Sequence, residues 1–142
     1  NGNRFKTVGY GSVETEAGLP MPERLKLLYD GLTEIIQKYE PDEVSIEELF
    51  FNRNVTTAIG VGEARGVAML ACVEGGLVVS EYTPMQIKQA LVGYGKAEKT
   101  QVQMMVKTIL NLPEVPKPDD TADAVAAAIC HAHSRNAMGL GR

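Results

Sequence analysis

The chain has 142 residues, 44% of them hydrophobic and 23% charged, which is enough apolar material for one packed core. Its longest apolar runs, such as VAMLACV at 67–73, fall far short of the roughly 20 residues that a membrane-spanning helix needs. A net charge of −4 argues against a uniformly basic nucleic-acid binder, although a cluster of carboxylates would mask a basic surface beside it.

In chain order, the polar opening NGN reads as a turn, with no basic segment and apolar run of the kind that marks a secretory leader. The segment RFKTVGYGSV at 4–13 combines β-branched and aromatic residues and predicts a strand. Pro20 and Pro22 introduce an amphipathic helix in which Leu25, Leu28, Tyr29, Leu32, Ile36 and Tyr39 recur at spacings of three and four, and Pro41 closes it. EVSIEELF at 43–50 predicts a buried strand, followed by the polar break FNRN. A helix over 55–73 carries Gly60, Gly62 and Gly66, each costing about 1 kcal/mol relative to alanine. Gly62 and Gly66 put two bare backbone patches on one face, where another helix could approach closely. Gly75 and Gly76 stop this helix; LVVSEYT at 77–83 predicts a strand, PMQIKQAL a short helix, and GYGKAEK at 93–99 a loop. A helix with Val102, Met105, Val106, Ile109 and Leu110 at helical spacing follows, then PEVPKP, then a last helix opened by DDTADAV. The expected whole is a single α/β domain over 1–142, with strands 43–50 and 77–83 parallel and joined by a right-handed crossover, and with a flexible tail over 135–142. Cys72 and Cys130 lie apart, without metal-ligand spacing, and are expected as buried small hydrophobes in a reducing cytoplasm.

Several residues carry chemistry, each beside a plainer alternative. GVGEARG at 60–66 lies inside a helix, so it is not the strand-to-helix turn of a dinucleotide fingerprint. Glu47 and Glu48 end a strand and alternate to opposite faces; a carboxylate there is either solvated or paired with a metal, and alternation does not choose between the two residues. Asp120 and Asp123, three apart, share a helix face, where Mg2+ or Mn2+ would relieve their repulsion; capping by an aspartate beside Thr121 is the alternative. His131 and His133, two apart, cannot share a helix face and are expected to be partly packed or exposed. Lys88, Lys96 and Lys99 flank or occupy the glycine-punctuated loop and form either a phosphate-binding segment or a solvated one. Phe50 and Phe51, before Asn52, Arg53 and Asn54, would be awkward at a strand end unless packed or stacked on a base.

Taken together, IEELFFNRN, GEARGVA, EYTPMQIKQALVGYGKAEKTQVQ and DDTADAVAAAICH, in that order, resemble the RuvC family of bacterial Holliday junction resolvases over nearly the whole chain. The resemblance implies an RNase H-like mixed sheet flanked by helices, of the integrase and resolvase type, and a homodimer formed through the helix over 55–73. It implies a four-carboxylate site to which this chain contributes Glu47, Asp120 and Asp123, holding two Mg2+ ions per subunit with Mn2+ as a substitute. Lys88 and Lys99 become the lysines at the scissile phosphate, Phe50 the aromatic that meets the junction near its crossover, and Arg53 and Lys96 further DNA contacts; Asp119 is left to capping or solvent. The implied activity is paired, symmetrical hydrolysis of four-way DNA junctions in recombination and repair, with the RuvA–RuvB branch-migration complex as a partner. Two rival expectations stand beside it: a junction-binding module without catalysis, and a related RNase H-like nuclease acting on other structured nucleic acids. One departure is plain. The family's first carboxylate, an aspartate in a G-[IV]-D-P-G context on an amino-terminal strand, has no counterpart, so residue 1 aligns after that strand and its hairpin partner, and the predicted strand 4–13 becomes an exposed edge.

Overall fold

The computed structural model describes residues 5–48 and 55–137. In chain order the elements are α1 (Met21–Tyr39), β1 (Glu43–Glu47), α2 (Val55–Glu74), β2 (Val78–Tyr82), α3 (Pro84–Val92), α4 (Lys99–Ile109) and α5 (Asp119–Ala137). Every predicted helix is present, and the boundaries follow local chemistry. Pro20 precedes α1, and Glu40, in the left-handed region at φ 47°, closes it with its N–H on the Ile36 carbonyl. Thr83 and Gln86 form a capping box at the start of α3, and Gly93 ends that helix at φ 101°, a conformation that disfavours any side chain. The last turn of α5 takes in positions 135–137 of the expected tail; 138–142 lie outside the described residues.

β1 and β2 form a two-stranded sheet. The Val78 N–H donates to the Asp42 carbonyl at 3.5 Å and the Glu48 N–H to the Tyr82 carbonyl at 2.7 Å, a register that ascends in both strands and is therefore parallel, as predicted. Both strands are shorter than expected, and the end of the 43–50 segment lies outside the described residues.

The prediction of a strand over 4–13 is corrected: residues 5–13 belong to no strand. A β-branched composition favours extended backbone, but a strand exists only when a second one completes its ladder, and no strand among the described residues pairs with this segment. Residues 5–11 lie instead along α5. The Phe5 and His133 rings stand 5.7 Å apart, and the Thr121 hydroxyl donates to the Gly11 carbonyl at 3.5 Å.

By proximity the chain gathers into two compact units. One comprises Asn1–Ser12, Ser45–Leu49 and Ser80–Arg142. Its core is built from Ile87 and Leu91 of α3, Val102 and Val106 of α4, and Ala126, Ala127, Ile129 and Cys130 of α5, all buried. The alanines of α5 let α3 and α4 pack closely on it, which accounts for the bland composition of that helix. The other unit comprises Val13–Val44 and Phe50–Val79, in which α1 packs on α2. Tyr29 of α1 donates a hydrogen bond to Glu74 at the end of α2, and Ile36 sits so close to Gly75 that a Cβ there would come within 2.8 Å of it. Both cysteines are free and buried, as expected. No helix among the described residues is long and apolar enough to cross a membrane.

Candidate active site

Four charged side chains from four elements of the first unit converge on one cleft of about 230 Å³: Glu47 from the end of β1, Lys88 from α3, Lys99 from the first position of α4, and Asp123 from the second turn of α5. Each is placed by its neighbours in sequence. The Ser45 hydroxyl, two residues before Glu47 and therefore on the same side of the strand, donates to the Ala127 carbonyl of α5 at 2.8 Å and ties β1 to that helix. Ile87 is buried beside Lys88 and, with Leu91 one turn on, anchors α3. Glu98 and Gln101 form the capping box that starts α4 at Lys99. Buried Ile87, Val102 and Ala126 line the cleft beside the charged groups, so part of its wall is apolar.

Burial pushes the Glu47 carboxyl above its ordinary pKa, and Asp123 pushes it further, while Lys99 and Lys88 pull it back. Burial likewise raises Asp123; Lys99 opposes the shift, and Asp120 and Asp119 add to it. The Lys99 ammonium, raised above its ordinary value chiefly by Asp123, lies 3.7 Å from an Asp123 carboxylate oxygen and 3.4 Å from one of Asp119. The site thus gathers two half-buried carboxylates that repel each other and two lysines that only partly offset them.

The other predicted residues are distributed less tightly. Asp120 stands exposed in the first turn of α5, in an open hollow with Lys117, Pro118 and Asp119, and reaches Glu47 and Asp123 only through its charge. Among the described residues, no group of three or more His, Cys, Asp or Glu side chains stands close enough together to hold a metal by itself. Lys96 is exposed between α3 and α4 and does not line the cleft. Phe50 and Arg53 lie outside the described residues. His131 and His133 are partly buried, as expected; His131 Nδ1 is 2.7 Å from the Tyr82 hydroxyl. Sequence reading missed Ser45 and Gln103. A serine two residues before a strand-end carboxylate is a detectable signal, whereas the bond from Gln103 Nε2 to Asp119 Oδ1, 3.2 Å across two helices, has none.

Comparison with known proteins follows the same lines. The family model described as "Crossover junction endodeoxyribonuclease RuvC" matches residues 1–131. A protein of that name from Desulforamulus reducens is 57% identical over 138 residues, covering 97% of this chain and 85% of its own length. One from Caldanaerobacter subterraneus is 56% identical over 143 residues, covering 99% and 87%. Among solved structures, RuvC from Thermus thermophilus superposes with a TM-score of 0.81 at 41% identity, covering 90% of this chain and 76% of that one. The same organism's RuvC in complex with a Holliday junction substrate gives 0.90 at 37%, covering 99% and 84%. By its sequence, its RNase H-like fold and its structural neighbours, this chain belongs to the RuvC family of crossover junction endodeoxyribonucleases.

Proposed function

We propose that the cleft between β1, α3, α4 and α5 is the place where this protein hydrolyses a phosphodiester of a four-way DNA junction. The observation that carries the reading is the pairing within one cleft of Glu47 and Asp123, both raised above their ordinary pKa, with Lys88 and Lys99. Two carboxylates that repel each other in a half-buried site form a hard oxygen donor set that a divalent cation would relieve. Mg2+ characteristically takes one or two protein carboxylates and completes its shell with water and substrate phosphate, so Glu47 and Asp123 fit it without a third ligand. Mn2+ serves as a substitute, and Asp120 contributes its charge from the rim. A second ion, which the family resemblance implies, needs donors beyond these two. When bound, the ion supplies an activated water and charge stabilisation at the phosphate. The chain's own residues do the rest. Glu47 and Asp123 would hold the cation, and Lys88 and Lys99, which line the same cleft, offset the charge that gathers on the phosphate oxygens. Lys96, exposed between α3 and α4, contacts phosphate further along the backbone, and in the resemblance Arg53 is a further DNA contact and Phe50 the aromatic that meets the junction near its crossover.

Two copies presenting two such clefts would make paired cuts in a two-fold junction. The face for that assembly is α2, where Ile59, Gly62, Gly66, Leu70 and Val73 recur at spacings of three and four and all stand exposed. A Cβ added at Gly62 or Gly66 would meet nothing within 4 Å, so the face is open for close approach. The cytoplasm and the RuvA–RuvB complex remain the setting and partner that this reading carries with it.

Asp123→Asn tests the site. We expect cleavage of a synthetic four-way junction in Mg2+ to fall at least about 100-fold, with junction affinity in EDTA unchanged within about twofold. Equal loss of binding and cleavage would make Asp123 a structural residue of α5 and refute the reading.

A further inference from the structure

We infer that Asp119 is a positioning residue for Lys99, holding the ammonium at the mouth of the cleft so that a divalent cation can take Asp123; this rests on the function proposed above. Asp119 is exposed and lines no part of the cleft, and its place at the start of a helix is explained by the macrodipole alone. Its contacts say more. Lys99 and Gln103 stand four apart on α4, and Asp119 and Asp123 four apart on α5, so each pair shares a helix face. The Gln103 amide donates to Asp119 Oδ1 at 3.2 Å, while Asp119 Oδ2 faces the Lys99 ammonium at 3.4 Å. Gln103 therefore fixes which way the carboxylate turns, and the carboxylate fixes where the ammonium stands. That ammonium is shared, with an Asp123 oxygen 3.7 Å away.

The sharing has a direction. Without the Asp119 charge, Lys99 has one carboxylate partner left in this group, Asp123, and a cation must break that pair outright to bind. With Asp119 present, the displaced ammonium keeps a partner at the rim, stays within reach of a phosphate, and costs the incoming cation less. The same residue would also attract a cation directly by its charge, and that contribution does not depend on Lys99. The two are separable because only the first vanishes when Lys99 is removed.

The test is a double-mutant cycle on the full chain, reading Mn2+ affinity by titration calorimetry without DNA, with Asp119→Asn, Lys99→Met and both together. Asparagine still accepts from Gln103 and removes only the charge. We expect Asp119→Asn to weaken Mn2+ binding about two- to fivefold, the range an exposed ion pair supports, and to have less than about half that effect in the Lys99→Met background. Asp119→Glu, which keeps the charge, should hold affinity near the parent's when Lys99 is present. An equal loss in both backgrounds, or no loss in either, overturns the inference. Asp123→Asn is the control for the underlying site: if it keeps full Mn2+ affinity, the site reading fails; if it loses affinity while the cycle shows no coupling, only the role of Asp119 fails.

Discussion

Glu47 shows how a single side chain registers its surroundings. Its proton is held more tightly in the folded protein than in an unfolded chain, because burial and Asp123 together outweigh the two lysines. Between the ordinary carboxylate value and that raised value the folded state binds the extra proton, so stability falls as pH rises through the window, and above it the charged form is a standing cost. Glu47→Gln removes that cost. In EDTA at neutral pH we expect the variant to melt at a higher temperature than the parent, with the difference shrinking as pH is lowered from the raised Glu47 value towards the ordinary carboxylate one. A lower melting temperature at neutral pH would mean that attraction to Lys88 and Lys99 exceeds the cost of burial. Little of this was legible in sequence. Alternation leaves Glu47 and Glu48 equivalent; the family resemblance chose Glu47, and the cleft is where its surroundings become visible. For Asp120 and Asp123 the spacing places both on one face, but it does not say that the helix packs so as to put Asp123 in the cleft and leave Asp120 at the rim.

At the scale of elements, the helices carry the site and the core holds the helices. Leu91 is 4% exposed and lies one turn beyond Ile87 on α3, so it fixes the helix that presents Lys88. We expect Leu91→Ala to cost about 2–5 kcal/mol in urea unfolding, the range for emptying a packed leucine site. A smaller loss would mean that the alanine-rich face of α5 closes over the space. Helices were the most legible part of this chain, since prolines at the starts of α1 and α3 and glycines after α2 and α3 mark boundaries that depend on local backbone chemistry. Residues 5–13 were not legible for the opposite reason. Their composition suits extended backbone, but strand formation needs a partner far away in sequence, and Phe5 and Gly11 meet α5 instead.

For the whole molecule, the proposed assembly turns on α2. Three large apolar side chains on its stripe are more than half exposed, Ile59 at 58%, Leu70 at 53% and Val73 at 61%, and two glycines between them leave the backbone bare. Gly66→Arg adds bulk and charge at the middle of that stripe without a clash inside the chain, and replacing a helical glycine favours the helix by about 1 kcal/mol. We expect the parent to sediment as a dimer and the variant as a monomer of unchanged helix content; a variant that stays dimeric would move the interface elsewhere. By itself the sequence determined the helices, the two parallel strands and the family, because these follow from periodicity, from end signals and from motifs that are local in the chain. Only the tertiary structure decided which carboxylates share a cleft, that Lys99 stands between Asp119 and Asp123, and that residues 5–11 lie along α5. Each of those is a distance between segments far apart in sequence, set by how α3 and α4 pack on the small residues of α5.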